Sequence, residues 1–152
     1  MCIRDRYHGE DGQEHTPVVL HRAVTGSTER FLGVLIEQYA GAFPVWLAPV
    51  QAVIIPITDR NLEYCRKLRT TLKNVGLRVK IDKGNDRMNS KIRKAQVQKV
   101  PYMLIIGDKE IESNTVSIRQ RDGAQLDPMP SEEFLSRVVA EIALRGGNAT
   151  ES

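Results

Sequence analysis

After residue 50 the apolar residues of this chain follow two patterns, continuous runs and recurrence every three to four positions, and the two patterns alternate. Residues 52–57 form an uninterrupted apolar run, and residues 102–106 form another. Runs of this kind are typical of strands buried on both faces of a sheet. Apolar residues recur three to four positions apart over 62–75 and 134–142, which predicts amphipathic helices. Alternation of such strands and helices predicts an α/β fold with a mixed, mainly parallel sheet and right-handed crossovers.

Residues 51–146 as a whole predict the succession β-α-β-α-β-β-α. The alternating fourth strand suits the edge of the sheet and an antiparallel direction, because only one of its faces is apolar. The remaining elements expected are a strand over 77–82, a polar loop over 85–89, a short basic helix from Ser90, a turn over 110–114, the alternating strand over 115–121 and a helix from near Ser131 to Gly146.

Residues 16–24 before this domain are rich in β-branched and apolar residues and predict a strand. Thr25 or Ser27 then offers a helix N-cap. The apolar residues of the following helix share one face, and Gly41 is suited to end it. That face comprises Phe31, Val34, Leu35 and Tyr39. Pro44 and Pro49 then bracket Trp46 in what reads as an extended linker.

The charge of the chain is concentrated in one block. The net charge is +3, yet residues 59–99 alone carry 13 basic and 4 acidic side chains. Such a block favours a polyanionic partner such as nucleic acid, although a solvated helix face explains the charge equally well. The two cysteines, Cys2 and Cys65, lack metal-site spacing and are too few for a disulfide framework, which favours the cytoplasm.

The turn at Gly26 and Ser27, followed by Arg30 in the first turn of a helix, can form an anion site. Unpaired N–H groups and the helix dipole both favour a phosphate there, and Arg30 adds a guanidinium. Taken alone, Arg30 reads more simply as a surface arginine, and a lone His21 is more often packed or solvated than metal-bound. No glycine-rich phosphate loop follows the run at 52–57, which argues against a nucleoside-triphosphatase, a dinucleotide domain or a flavodoxin-like small-molecule site.

The whole string around these residues resembles the last signature motif of class II aminoacyl-tRNA synthetases, in the form of the bacterial threonyl-tRNA synthetases. The resemblance extends over about residues 7–147. The motif is carried by His21, Arg22, Ala23, Gly26, Ser27, Glu29, Arg30, Phe31, Gly33, Gly41, Phe43, Pro44, Trp46, Leu47, Ala48 and Pro49. The downstream match is carried by Asn85, Val100-Pro101-Tyr102, Gly107-Asp108-Lys109-Glu110 and Arg119.

The resemblance implies roles for individual residues. Arg30 is the expected catalytic arginine that holds ATP, with magnesium, in its bent form. Gly26 and Ser27 are expected beside the adenylate pocket, and His21 is expected to be one of three zinc ligands. The expected readers of the anticodon of threonine tRNA are Asn85, Glu110 and Arg119. The family also implies a homodimer and the ligation of threonine to its tRNA.

The sequence departs from this family because the first two class II motifs and two of the three zinc ligands are missing. We therefore expect a carboxy-terminal fragment that binds tRNA without catalysis. Its expected parts are an artefactual leader (1–6), a strand-helix remnant of the class II antiparallel catalytic domain (7–49), an anticodon-binding domain (50–147) and a disordered tail (148–152). The alternatives are a stand-alone RNA-binding module and a fragment of a prolyl or glycyl enzyme of the same class.

Overall fold

The computed structural model describes residues 5–18, 20, 22–24 and 26–145, and two compact units divide the chain at Met1–Val34 and Leu35–Ser152. In the first unit, strands Tyr7–His8 (β1) and Glu14–His15 (β2) form a small antiparallel hairpin. The side chain of Asp11 bridges its turn, with a carboxylate oxygen 2.8 Å from Nε2 of His15. The expected tail at 148–152 lies outside the described residues.

The strand predicted over residues 16–24 is wrong for the part of it that the structure describes. None of those residues is in a strand, and Val18 and Leu20 are 89% and 90% exposed. A β-branched sequence forms a strand only when a neighbour pairs with its backbone and packs against its side chains. The described residues of this unit supply a partner only to β1 and β2, which pair with each other.

The helix predicted after this segment is confirmed as Thr28–Tyr39 (α1). Its first turn is capped by Ser27, whose Oγ accepts a hydrogen bond from the backbone N–H of Arg30 at 3.2 Å. The helix ends in a left-handed turn, with φ of 47° at Ala40 and 76° at Gly41. None of its residues is buried, and Phe31 is 44% exposed. The helix thus forms as the pattern predicts, but its apolar face is not covered by the described residues.

The second unit contains a five-stranded mixed sheet with helices on both faces, which confirms the predicted α/β class. Strand order is β4-β3-β5-β6-β7; β3 is parallel to β4 and β5, and the β5–β6 and β6–β7 pairs are antiparallel. Four of the five strands consequently point the same way. The elements are Ala52–Pro56 (β3), Leu62–Asn74 (α2), Val79–Ile81 (β4), Met88–Val97 (α3), Tyr102–Ile106 (β5), Asp108–Ser113 (α4), Thr115–Gln120 (β6), Gln125–Pro130 (β7) and Ser131–Ala143 (α5).

Three features of this unit differ from the expectation. Of the turn predicted over 110–114, residues 110–113 belong to helix α4 and Asn114 follows its end. Strand β7 was not predicted, and because it pairs with β6, the predicted edge position of β6 is wrong, although its antiparallel direction is confirmed. Helix α3 begins at Met88, two residues before Ser90, inside the predicted polar loop. The helices of the described part of the chain are all too short or too polar to cross a membrane.

The two faces of the sheet are covered unequally. On one face, buried side chains of every strand except β7 pack with α2 and α5; Ile54, Leu104 and Phe134 are 0–1% exposed there. On the other face, Val53, Ile55 and Met103 pack with α3. Helix α3 covers only the β3 side of this second face. Polar residues of β6 and β7 on the same face are therefore not covered by α3 and face outward beside it. We call this second side the α3 face.

The segment between α1 and β3 forms a compact turn rather than the extended linker that the prolines suggested. Pro44 accepts backbone hydrogen bonds from Leu47 and Ala48, at 3.0 and 2.9 Å. Side chains of the domain fasten this turn: Gln51 donates to the carbonyl of Val45 at 2.9 Å, and Arg78 donates to that of Ala48 at 2.9 Å. The predicted domain boundary between residues 49 and 50 falls inside the second compact unit and stays a prediction.

Candidate nucleic-acid interface

The three predicted anticodon readers lie on different elements of the second unit. Asn85 is in the loop between β4 and α3, directly after the carboxyl end of a parallel strand, and its side chain is exposed. The loop is shaped by Asp82, whose Oδ1 accepts a hydrogen bond from the backbone N–H of Gly84 at 2.9 Å. Loops at this end of parallel strands are where α/β sheets commonly bind ligands.

Glu110 occupies the first turn of α4, directly after β5. Its Oε2 accepts a hydrogen bond from the backbone N–H of Gly107 at 2.9 Å, which caps the helix. Its Oε1 accepts one from Oγ of Ser117 on β6 at 2.8 Å. Burial tends to raise the pKa of Glu110, but the hydrogen bonds from Ser117 and from backbone N–H groups outweigh it and lower the pKa. The carboxylate is therefore ionised and held in place at neutral pH.

Arg119 lies on β6 opposite Met103 of β5 and Gln125 of β7. Since Met103 packs on the α3 face, the alternation of a strand places Arg119 on that face as well. Its Nε is buried and has no hydrogen-bond partner among the described residues. Its guanidinium and the side-chain amide of Gln96 on α3 both approach Gly123, each 3.9 Å from where a Cβ would lie. A buried donor without a partner is costly, so an acceptor from a ligand or water would be favoured here.

Glu110, Ser117 and Arg119 therefore form a line of polar side chains along the α3 face. Ser117 and Arg119 are two positions apart on one strand and so project to the same side, roughly 7 Å from each other. Asn85 makes no hydrogen bond to the other two predicted readers within the described part of the chain. The structure thus connects Glu110 to the strand of Arg119 through Ser117, while Asn85 lies separately, before α3.

Most of the positive charge of this unit is not neutralised by neighbouring carboxylates. The described residues of the unit form two ion pairs, Arg60 with Asp108 and Arg66 with Glu63. The first joins the segments that follow β3 and β5, and the second lies on α2. Exposed basic side chains of β4, the following loop and α3 are left without an acidic partner there, which suits a polyanion.

The residues expected to contact ATP lie in the first unit. Gly26 has a φ of 72°, and Nη1 of Arg30 lies 3.8 Å from where a Cβ of Gly26 would be. Together with the Ser27 cap, this brings the three predicted pocket residues into one turn. His21, the predicted zinc ligand, lies outside the described residues. The described residues contain no group of three or more potential metal ligands, so they do not make up a zinc site by themselves.

Two residues of the candidate interface, Ser117 and Gln96, were not predicted from the sequence. Ser117 could have been found, because it shares the outward side of an alternating strand with Arg119. Gln96 gives no local signal, since its approach to Gly123 depends on how α3 packs across the sheet.

Comparison with known protein families shows the class to which the chain belongs. Residues 51–141 match the family described as the anticodon binding domain. That match covers more than half of the chain, and the chain belongs to this family.

Within that class the similarity points to threonine–tRNA ligase. The chain is 57% identical over 140 residues to the threonine–tRNA ligase of Rubrobacter xylanophilus, covering 91% of the chain and 22% of that relative. It is 52% identical over 145 residues to that of Alkalilimnicola ehrlichii, covering 95% and 23%. The crystal structure of the RNA binding domain of threonyl-tRNA synthetase from Cryptosporidium parvum superposes with a TM-score of 0.75 at 30% identity, covering 90% of this chain and 35% of that one.

The resemblance seen in the sequence is thus confirmed, and neither alternative is favoured. The chain spans about a fifth of the length of the curated relatives it matches.

Proposed function

We propose that this chain binds the anticodon arm of threonine tRNA through its α3 face, as part of a threonine–tRNA ligase. The observation that carries the proposal is the environment of Arg119. Its guanidinium has a buried Nε–H with no partner among the described residues, on an outward-facing part of a sheet whose surroundings are basic. Guanidinium, amide and carboxylate groups are suited to hydrogen-bond base edges, whereas lysines are suited to phosphates.

The polar groups around Arg119 support recognition of unpaired bases rather than a duplex. Gln96 brings an amide that can donate and accept, and Glu110 keeps lone pairs beyond those used by Gly107 and Ser117. Asn85 adds a second amide on an exposed loop. Sequence-specific RNA recognition depends on such contacts to bases that a loop leaves unstacked and accessible.

The direct test is a binding measurement on the whole 152-residue chain. Fluorescence anisotropy compares a labelled hairpin carrying the anticodon stem and loop of threonine tRNA with a hairpin that differs only in the anticodon bases. We expect a preference of roughly tenfold or more, since each mismatched base costs about 1–3 kcal/mol. Equal affinities for the two hairpins would reject anticodon recognition, while leaving non-specific RNA binding in place.

The role of Arg119 is separated from general charge by a matched arginine. Arg119→Ala is expected to remove most of the preference between the two hairpins. Arg66→Ala makes the same change in charge on α2, across the sheet, and should leave the preference unchanged. A uniform loss of affinity for both hairpins in Arg119→Ala would instead assign that residue to the RNA backbone.

We further propose that the parent protein ligates threonine to its tRNA with ATP and magnesium, as a homodimer in the cytoplasm. In that protein Gly26, Ser27 and Arg30 would line the ATP pocket and His21 would be one zinc ligand. The capped turn that gathers Ser27 and Arg30 supports the first assignment. The chain alone is expected to be inactive in threonine-dependent exchange of ATP with labelled diphosphate, and exchange above background would contradict this expectation.

A further inference from the structure

A second cationic surface lies on the other flank of α3, away from Arg119. The space between β4 and α3 forms an open groove of about 230 Å³. Its rim carries Lys80, Lys83 and Lys94, and its floor includes Val53 and Ala95. We call this site the β4–α3 groove. A water molecule takes about 30 Å³ of liquid volume, so the groove has room for a phosphate group together with several waters.

The three lysines of the groove are not balanced by acids. Within the described ranges of the chain, none of them forms an ion pair or a side-chain hydrogen bond with the protein. Asp82 is the acidic residue among the lining residues, and one of its oxygens already accepts the backbone N–H of Gly84 at 2.9 Å. Lys94 taken singly could be explained as a cation near the carboxyl end of α3. Lys80, on an edge strand, and Lys83, in a loop, have no such explanation.

The chemistry of the groove favours a phosphodiester of an RNA backbone over a small anionic metabolite. It offers three flexible point charges around an apolar floor, with no arginine to grip a phosphate in two places. It is therefore selective for charge and not for shape. Phosphate contacts of this kind position a nucleic acid without reading its sequence.

We propose that the β4–α3 groove is a phosphate subsite for the backbone of the bound tRNA. The inference rests on the proposed function, since it assumes that RNA lies on the α3 face. It assigns the two flanks of α3 different tasks. The Arg119 flank discriminates bases, whereas the lysine flank supplies affinity that is independent of sequence and falls with salt.

The test compares two charge-matched double variants of the full chain. Lys80→Gln with Lys94→Gln removes two charges from the groove and keeps most of each side-chain stem. Lys67→Gln with Lys73→Gln removes two charges from exposed positions of α2, on the opposite face of the sheet. Thermal melting of both variants confirms that they fold, and anisotropy then measures hairpin binding from low to high salt.

We expect the groove variant to bind both the threonine hairpin and the anticodon-changed hairpin roughly three- to tenfold more weakly than the wild type. Its slope of log affinity against log salt should fall by about 0.7 to 0.9 for each phosphate that the variant no longer neutralises. The α2 variant should remain close to the wild type in both quantities. Equal behaviour of the two variants would overturn the subsite, because only net charge would then matter.

Two further outcomes are distinguishable from these. If the wild-type chain fails to prefer the threonine hairpin, the proposed function itself fails and the inference with it. Inorganic phosphate at low millimolar concentration should not displace the hairpin. Displacement that disappears in the Lys80→Gln, Lys94→Gln variant would overturn the assignment in favour of a site for free phosphate.

Discussion

Glu110 provides a sharp prediction, because its carboxylate can serve both the fold and the RNA. One oxygen caps α4 through the N–H of Gly107, and the other accepts the hydroxyl of Ser117. Hydrogen bonds to a charged group contribute about 1.5–3 kcal/mol each when well buried. Since Glu110 is only half-buried, the low end of about 1.5 kcal/mol for each bond applies, and Glu110→Ala should lower the free energy of unfolding by about 3 kcal/mol. Ser117→Ala removes one of the two bonds and should lower it by about 1.5 kcal/mol.

The pH dependence of this stability has a definite sign. The folded-state pKa of Glu110 lies below its ordinary value of 4.5, because the hydrogen bonds favour the carboxylate. The stabilisation is therefore complete above about pH 4.5 and is lost as pH falls through the lower folded pKa. Glu110→Gln cannot titrate, so the difference in stability between wild type and this variant should shrink as the pH falls below about 4.5.

Urea unfolding followed by circular dichroism, repeated from about pH 7 to about pH 3, measures this difference. A difference that stays constant over the whole range would refute the reasoning, because the hydrogen bonds would then not depend on the carboxylate charge. Hairpin binding at neutral pH separates the two roles of the residue. If Glu110 also reads a base, Glu110→Gln alters anticodon preference, whereas Ser117→Ala weakens binding without altering it.

The remaining predictions concern the core and the proposed RNA-binding surface around Arg119. Gln51→Leu leaves the carbonyl of Val45 and the backbone N–H of Arg78 without partners at a site that is 2% exposed. Urea unfolding should therefore show a loss of about 2–4 kcal/mol in the free energy of unfolding, whereas Gln98→Leu on the surface should show almost none. Equal losses in the two variants would contradict the role of Gln51. Burial raises the pKa of Cys65 to about 11. In a Cys2→Ser background the thiol should therefore not react with a disulfide reagent at mildly alkaline pH until urea unfolds the chain. Rapid reaction of the folded chain would contradict this prediction, because it would show that the thiol is accessible. Gln96→Ala should reduce the preference for the threonine anticodon, whereas Gln98→Ala should leave that preference intact. Identical effects of the two variants would show that Gln96 takes no part in recognising the bases.

The parts of the fold that the sequence predicts well are those whose pattern is decided locally or by complete burial. Residues 52–57 and 102–106 have no polar position, which only a strand covered on both faces tolerates, and both became central strands. The α2 stripe and the α5 stripe likewise follow from helical spacing. In each case one physical requirement, removal of a continuous apolar surface from water, fixes the element.

The parts that escaped prediction depend on partners that are distant in sequence. Strand β7 contains Pro128 and Pro130, which cannot donate to a ladder, and it is acceptable only because it lies at the edge of the sheet. Helix α4 is short, and its start depends on Glu110 reaching back to Gly107. The strand expected over 16–24 failed for the opposite reason, since a suitable composition found no partner among the described residues.

The candidate site was likewise predictable only in part from the sequence. The resemblance to the synthetase family predicted Asn85, Glu110 and Arg119 as site residues, but no sequence pattern shows that Glu110 accepts a hydrogen bond from Ser117. Nor does it show that the guanidinium of Arg119 and the amide of Gln96 approach the same glycine. Those relations follow from the pairing of β5 with β6 and from the packing of α3 on the sheet.

The measurement that tests the central claim most directly is amide hydrogen exchange of the whole chain with and without the threonine anticodon hairpin. We predict slower exchange in the loop over 82–87, in α3 and in the β6–β7 hairpin. Helices α2 and α5, on the opposite face of the sheet, should be unaffected. Protection confined to α2 or α5 would contradict the assignment of RNA binding to the α3 face.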